Sequence, residues 1–563
     1  MALLGNLTGS SQFFNDTAFY NGAVSSSLRM QDARLTETPS STGNSKKWTF
    51  SAWIKRGTLA DSYIFAGTPY DGYNGIAAIY FTSAGQLHTY YDTSGANPYG
   101  AVGPRLFRDT SSWYHLVWAV DAANTIHKIW INNELVSTDT GKYPPNYDYG
   151  INRSGSEMVI GDGAWDSYGS TNFNGYMAEI NHCDGQYLEP DSFGETKNGI
   201  WIPLKDPSLT YGTNGFRLQF LQTGTSANSS GIGADTSGQA NHFAVNALAA
   251  SDVVPDSPEN NFCTMNPLHF RASYGMATLS EGNLAYGDAG LSSSWGAQFS
   301  TFNLNSGKWY AEVLTKGNSS CSIGVMNVGH YGYQHFLVQN PQNETGNWTL
   351  FMDGTDTKSR LNGSLADPTY TAFNNDQVLG IALNADDKEL SFYVDGTLQT
   401  GLGSSGVIDI STGGSSNDAW SFTANTANGS GVTFVWNFGQ DSSFAGTKSA
   451  QGNQDSNDIG DFYYTPPTGF LALCTKNLPD VAVVPSEHFN TITYTGTDAD
   501  NRAITGVGFQ PDFAWFKRRN TSTNHGLFDV LRGANKRLST NLTDAEFSDS
   551  NALMSFDSDG YTV

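Results

Sequence analysis

Two carboxyl groups about 5–5.5 Å apart can cleave a glycosidic bond, and on one strand that requires acidic residues at even spacing. The nearest pairs are Glu179 with Asp184 and Asp386 with Asp387, and neither has that spacing. The second pair also falls in an expected turn. No GxSxG elbow, HExxH helix or GxxxxGK[ST] phosphate loop occurs. The ten histidines are dispersed: His115 and His127 lie within strand-like runs as packing residues, and His242, His330 and His335 lie in loops. No catalytic residue, no metal-ligand set and no cofactor is assigned, and the chain is not expected to be an enzyme.

Aromatic side chains in loops are the stronger signal. Tyr70 and Tyr73 (PYDGYNG), Tyr99, Tyr143, Tyr147 and Tyr149 (KYPPNYDYG), Trp165 (GDGAWD), and Tyr331 and Tyr333 (GHYGYQH) fall in or beside expected loops. Tyrosine offers a flat apolar face and a hydroxyl with few rotors to freeze, which suits glycan stacking and protein interfaces alike. A basic cluster, Lys517, Arg518, Arg519, Arg532, Lys536 and Arg537, could dock an acidic neighbour or an anionic sugar. Phe13, Phe14, Phe19 and Tyr20 lie in a polar N-terminal segment too short for a core of its own, and are expected to anchor it on another chain.

These residues sit in a chain of 563 residues, long enough for about three to five domains. The 61 glycines and only 15% charged residues favour short strands and tight turns over helices. A net charge of -24 repels nucleic-acid phosphates and anionic lipid headgroups, so neither nucleic acid nor a membrane is an expected partner. No apolar run is long enough to span a bilayer, and no signal peptide is recognised. The four cysteines form no CxxC pair; Cys183 and Cys474 read as small buried hydrophobes.

Strand patterns dominate. In KWTFSAWIKRG, Trp48, Phe50, Ala52 and Ile54 alternate with Thr49, Ser51, Trp53 and Lys55, the period of a half-buried strand. HLVWAVDAANTIHKIWINNEL (115–135) aligns without a gap to VLGIALNADDKELSFYVDGTL (378–398). Each copy reads as strand, four-residue turn, strand and two-residue hairpin, with Asn132-Asn133 and Asp395-Gly396 supplying type I′ turns. Two such meanders predict two similar antiparallel sandwiches occupying equivalent places in their domains. Between them, Phe243, Val245, Val253, Val254 and Phe262 make the polar stretch an ordered connector. Farther on, FNTITYTG reads as a strand and Asp544–Ser548 as a short helix.

Several of these segments resemble known families. WTFSAWIKRG (48–57), WYHLVWAVDAANTIHKIWINN (113–133) and FNGYMAEINHCDGQYLEPDSFGE (173–195) resemble a concanavalin A-like (laminin G-like) jelly roll. SGKWYAEV (306–313), SIGVM (322–326) and VWNFGQDSSF (435–444) are similar to SPRY-like domains. GFQPDFAWFKRR and HGLFDVLRGANKRLST resemble a small phage-tail-associated module, and the whole resembles virion structural proteins of marine bacteriophages. Laminin G-like resemblance also raises a calcium ion, with Asp162 and Asp184 as ligands. The expected fold is all-β: an anchoring arm (1–26), a concanavalin A/laminin G-like sandwich (27–222), a connector (223–268), a SPRY-like sandwich (269–478) and a small β-rich module (479–563) whose natural chain continues. The expected role is an accessory tail fibre or spike on the virion surface that binds a host glycan or protein and contacts other virion proteins through its arm. Three-fold assembly is what the fibre resemblance implies. The alternatives are a capsid decoration or head fibre, a polysaccharide depolymerase and a bacterial surface adhesin.

Overall fold

The computed structural model describes residues 22–69, 75–91, 99–137, 146–163, 172–197, 199–268, 278–287, 295–317, 320–328, 346–353, 356–361, 364–366, 373, 375–411, 418–427, 429–479, 487–497 and 499–563. Their regular elements are strands and single 3₁₀ turns, with no α-helix among the described residues. Among the described residues the chain divides into two compact units: the larger runs to Glu195 and from Trp201 to Leu478, and the smaller holds Pro479–Val563 together with the segment Thr196–Ile200.

In the larger unit the first sandwich pairs two antiparallel sheets. One runs in the order Glu134–Ser137, Ile126–Ile131, Tyr114–Asp121, Lys47–Arg56, Gly175–Asp184, Ser27–Met30, Val253–Val254. The other runs Ala244–Asn246, Arg34–Glu37, Met158–Ile160, Ser62–Gly67, Ala77–Phe81, Gln86–Tyr91, Tyr99–Leu106. Trp48, Phe50, Phe65, Trp118, Ile160 and Phe216 fill the space between them. The Phe50 and Phe65 rings stack at 4.3 Å from opposite sheets. Each sheet is completed by a connector strand, Val253–Val254 or Ala244–Asn246. Both strands come from the polar stretch between the sandwiches, where Val245, Val253 and Val254 lie.

The second sandwich repeats the plan, one sheet running Thr278–Ser280, Ala285–Gly287, Thr433–Asn437, Lys308–Lys316, Val378–Asn384, Glu389–Val394, Thr397–Leu398. The two meanders occupy the same place, as the last three strands at one edge of their sheets. Their turns match too: Asn132 and Asn133 have φ of 50° and 64°, and Asp395 and Gly396 have 46° and 75°, the left-handed pair that a type I′ hairpin requires. The equivalence extends into the next strand. Lys47 and Trp48 lie opposite Asp121 and Val120, and Lys308 and Trp309 lie opposite Asn384 and Leu383.

The smaller unit is built from short pairs: Ala503–Thr505 and Ser555–Asp557 on Gly560–Thr562, Phe513–Phe516 on Gly526–Asp529, and Lys536–Arg537 on Phe547–Ser548. Ile504, Val507, Phe528, Leu553 and Tyr561 make its core. Two expectations fail here. Residues 489–496 form no strand, because no partner strand lies beside them among the described residues; Ile492 packs on the core and Asn490 donates to the Val507 carbonyl instead. Asp544–Ser548 is not helical. One isolated turn is too short to nucleate, and Phe547–Ser548 pairs as a strand while Glu546 and Asp549 meet Arg532 and Arg537.

A third departure concerns Lys47–Arg56, which is buried on both faces rather than half-buried. On its outer face Trp53, His115 and Trp201 stack, with ring centroids 4.8 and 5.9 Å apart. Farther along, that face meets the connector and the second sandwich. Lys55 Nζ, almost wholly buried, reaches Asp256 Oδ2 at 2.8 Å, Asn261 Oδ1 at 2.7 Å and the Phe262 carbonyl at 2.9 Å. Arg29, equally buried, pairs with Asp441 at 2.7 Å and Asp252 at 3.2 Å. The Tyr176 hydroxyl donates to the Gly282 carbonyl, and Asn283 Nδ2 donates to the Gly57 carbonyl. The alternating sequence could not show this cover, because it comes from residues far along the chain.

Three histidines are built into the first sandwich. Trp118 Nε1 donates to His127 Nε2 at 2.7 Å, Trp201 Nε1 donates to His115 Nδ1 at 2.9 Å, and His182 Nε2 bonds Asn152 Oδ1 at 2.7 Å. Burial holds each down to about 3 from an ordinary 6.5. They are neutral packing groups, as expected for His115 and His127.

Two predictions follow from this packing. Asp256→Ala leaves the Lys55 ammonium buried without its anion and should cost about 3–5 kcal/mol, read as a lower urea midpoint for the larger unit. For the histidines, the unfolded chain binds protons that the folded chain refuses. Their contribution is complete above pH 6.5 and falls as pH drops toward 3, by about 1.4 kcal/mol per pH unit per histidine. Glu37 and Glu312, pushed up to about 7 by burial, act in the opposite sense between 4.5 and 7. The comparison is therefore internal: His127→Gln should flatten the pH dependence of unfolding free energy between pH 6 and 4 relative to the parent. An unchanged slope would contradict it.

Candidate functional site

The tyrosines singled out from the sequence divide sharply. Tyr147 and Tyr149 are not surface binding residues. The chain turns inward at Asn146, where φ is 59°, and both rings enter the core of the first sandwich at 7% and 1% exposure. Tyr147 donates to the Ile76 carbonyl at 3.1 Å, and Tyr149 meets Trp48 edge-on at 5.3 Å. The aspartates, glycines and prolines of this segment mark a loop in the sequence, but the rings of Tyr147 and Tyr149 are buried in the core. Tyr99 lies in the strand Tyr99–Leu106, and its side chain falls outside the described set. Tyr70, Tyr73, Tyr143, Trp165, Tyr331 and Tyr333, and the arm residues Phe13, Phe14, Phe19 and Tyr20, lie outside the described residues.

The acidic candidates are used within the fold. Strict alternation would place Glu179 beside Met177 on the core face. A bulge between Ala178 and Asn181, with Glu179 at φ 43°, turns it out to Arg217 Nε at 2.6 Å. Asp184 accepts the backbone N–H groups of Asn44 at 2.7 Å and Asn214 at 3.1 Å. Asp162 accepts from Arg34 at 2.9 Å and from the Gly163 N–H at 2.6 Å. Asp386 accepts the Gly307 N–H, and Asp387 accepts from Asn384. No group of three or more metal-ligating side chains occurs among the described residues, and the two aspartates considered for calcium each serve other donors.

One signal was legible and missed. Buried aspartates organise loops through the pattern Asp-x-Ser/Asn, each accepting the N–H two residues on: Asp235 with Ser237, Asp441 with Ser443 and Asp455 with Asn457. Asp455 accepts also from Ile459, Ala472 and Asn477. An open cleft of about 400 Å³ lies in the first sandwich between the segments 186–192 and 204–210, and no aromatic ring is among its lining residues.

The basic cluster splits in two. Arg532 pairs with Asp529 at 2.6 Å, Arg537 pairs with Asp549 at 2.9 Å, and Lys536 donates to the Ser548 hydroxyl. Lys517, Arg518 and Arg519 are exposed and form no ion pair among the described residues. They follow a strand whose Phe513 and Trp515 stand out at 57% and 60% exposure. The Trp515 Nε1–H donates to His525 Nδ1 at 3.2 Å, and His525 is bonded in turn to the Thr540 hydroxyl at 2.8 Å. Sequence periodicity could not find these rings, because Phe-Ala-Trp-Phe is apolar at every position and assigns no face.

Comparison with known proteins places residues 31–186 in a match to the concanavalin A-like lectin/glucanases superfamily. Residues 484–563 match a domain family of unknown function, DUF7483. No curated protein matches the chain. Among solved structures it is similar to a putative carbohydrate-binding protein from Bacteroides ovatus, at 18% identity and a TM-score of 0.28, over 40% of this chain and 57% of that one. It is also similar to the native heptameric SAP-like pentraxin of Limulus polyphemus, at 20% identity and a TM-score of 0.23, over 29% and 76%. The SPRY domain of human HERC1 is similar at 11% identity and a TM-score of 0.23, over 31% and 96%. The first sandwich is concanavalin A-like, within a fold that is all-β.

Proposed function

We propose that this chain is a non-catalytic, carbohydrate-binding adhesion protein of a virion surface, an accessory tail fibre or spike component of a bacteriophage. One observation carries the binding reading. The segment that matches the lectin/glucanase superfamily holds its nearest acidic pair in structural bonds, Glu179 to Arg217 and Asp184 to two backbone N–H groups. A carboxylate engaged in this way is poorly placed to protonate a leaving group or attack a sugar, which supports binding over cleavage. The buried ion pairs at the seam hold both sandwiches in one unit, so their loops would be presented together and in fixed register. Several copies on one particle would turn weak contacts into firm attachment. The virion setting rests on the resemblance of the sequence segments to phage structural proteins.

Purified protein incubated with host capsule or lipopolysaccharide should be retained by the polysaccharide and release no reducing ends. Release that disappears in Glu179→Gln would replace the adhesion reading with a depolymerase. Labelled antibody against the chain should decorate intact particles. Label on the tail supports the fibre or spike, label on the head makes it a capsid decoration, and unlabelled particles refute the virion assignment.

A further inference from the structure

We infer that the strand Phe513–Phe516 is a docking edge for a second copy of this chain, the two copies pairing antiparallel about a twofold axis at Trp515. The strand is hydrogen-bonded on one side only, to Gly526–Asp529. The Val530 N–H donates to the Asp512 carbonyl, and Ala514 and Phe516 lie opposite Phe528 and Gly526 in the same phase. The backbone groups of Phe513 and Trp515 therefore face away from that partner, and they meet no acceptor or donor among the described residues. An uncovered edge of this kind is a template for another strand.

The side chains along the edge are those of an interface. Phe513 and Trp515 are more than half exposed, while the intervening Ala514 turns to the interior. Val530, beside Asp512 through the backbone bond, is 40% exposed, and the adjoining Leu531 is 95% exposed. Apolar surface left in water is unfavourable, and a group of such side chains marks a contact. Leucine and valine beside the rings favour a protein over a sugar as the occupant.

The order of charges argues for a copy of the same chain. Outward backbone groups belong to odd-numbered positions, so odd must meet odd across the new contact. With the axis at Trp515, Trp515 meets Trp515, Phe513 meets Lys517, and Asp512 meets Arg518. Asp512, Lys517 and Arg518 are exposed, and none is in an ion pair among the described residues. The pairing supplies two Asp–Arg contacts and sets each lysine against a phenylalanine ring. An axis at Ala514 would set Pro511, which has no N–H to give, directly against Lys517, whereas the axis at Trp515 moves that proline one pair farther out, against Arg519. The edge thus carries an acid at its start and bases at its end, which makes it complementary to itself.

Sedimentation of the full chain over the micromolar range should show a monomer–dimer equilibrium. Arg518→Asp, at an exposed site, should raise the dissociation constant at least tenfold, and Asp512→Arg added to it should restore association. Trp515→Gln should also weaken the dimer, with the thermal transition of each variant checked against the parent. A single-chain mass throughout overturns the proposal. So does an oligomer that neither Arg518→Asp nor Trp515→Gln disturbs, or a double variant that stays dissociated; none of these results bears on polysaccharide binding.

Discussion

Two cations taken out of water, Arg29 and Lys55, are the constraint around which the larger unit is arranged. Burying a charge costs several kcal/mol unless an anion and further hydrogen-bond partners meet it. Here the partners come from far along the chain: Asp441 is 412 residues from Arg29, and Asp256 is 201 residues from Lys55. The outer face of the first sheet is complete only when the connector and the second sandwich are in place. The same contact explains a glycine. A Cβ on Gly282, at φ +63°, would lie 2.4 Å from the Tyr176 ring, so the residue there must have the smallest side chain.

Around that seam the chain uses one local plan twice. A Lys-Trp strand lies beside a meander whose first turn is closed by a side chain at the strand end, Asp121 to the Asn124 N–H and Asn384 to the Asp387 N–H. The buried tryptophans meet at their edges, Trp48 with Trp118 at 4.7 Å and Trp348 with Trp420 at 5.0 Å, an arrangement aromatic quadrupoles favour. The long irregular segments are held by aspartates that accept several backbone N–H groups at once, which replaces the ladder a strand would have supplied. Polar chemistry in this protein is therefore largely architectural. Acids that sequence inspection weighs as catalytic or metal-binding are engaged by an arginine, by backbone amides or, at Asp387, by the Asn384 side-chain amide.

The two units differ in how they treat aromatic residues. In the larger unit, tyrosines from a loop that reads as exposed are drawn under the sheet to complete the core. In the smaller unit, Phe513 and Trp515 remain outside, and Trp515 is fixed by a bond to His525 rather than by packing. A small unit has little interior to offer, so part of its apolar surface stays at the boundary with water.

The strand-rich class, the paired meanders with their left-handed hairpin residues and the packing role of His115 and His127 can be read from the residues alone. All of these are local properties: they depend on alternation, turn geometry and residue size over a few neighbouring positions. Which faces are covered depends on segments that meet only in the folded chain. Lys47–Arg56 became buried on both sides because Asp256, Phe262 and Trp201 arrive from elsewhere. Glu179 left the core face because one extra residue in the strand shifts the alternation, and a bulge has no fixed sequence mark. Residues 489–496 kept a strand pattern yet stayed irregular, because a strand exists only where another chain segment supplies the missing half of its hydrogen bonds.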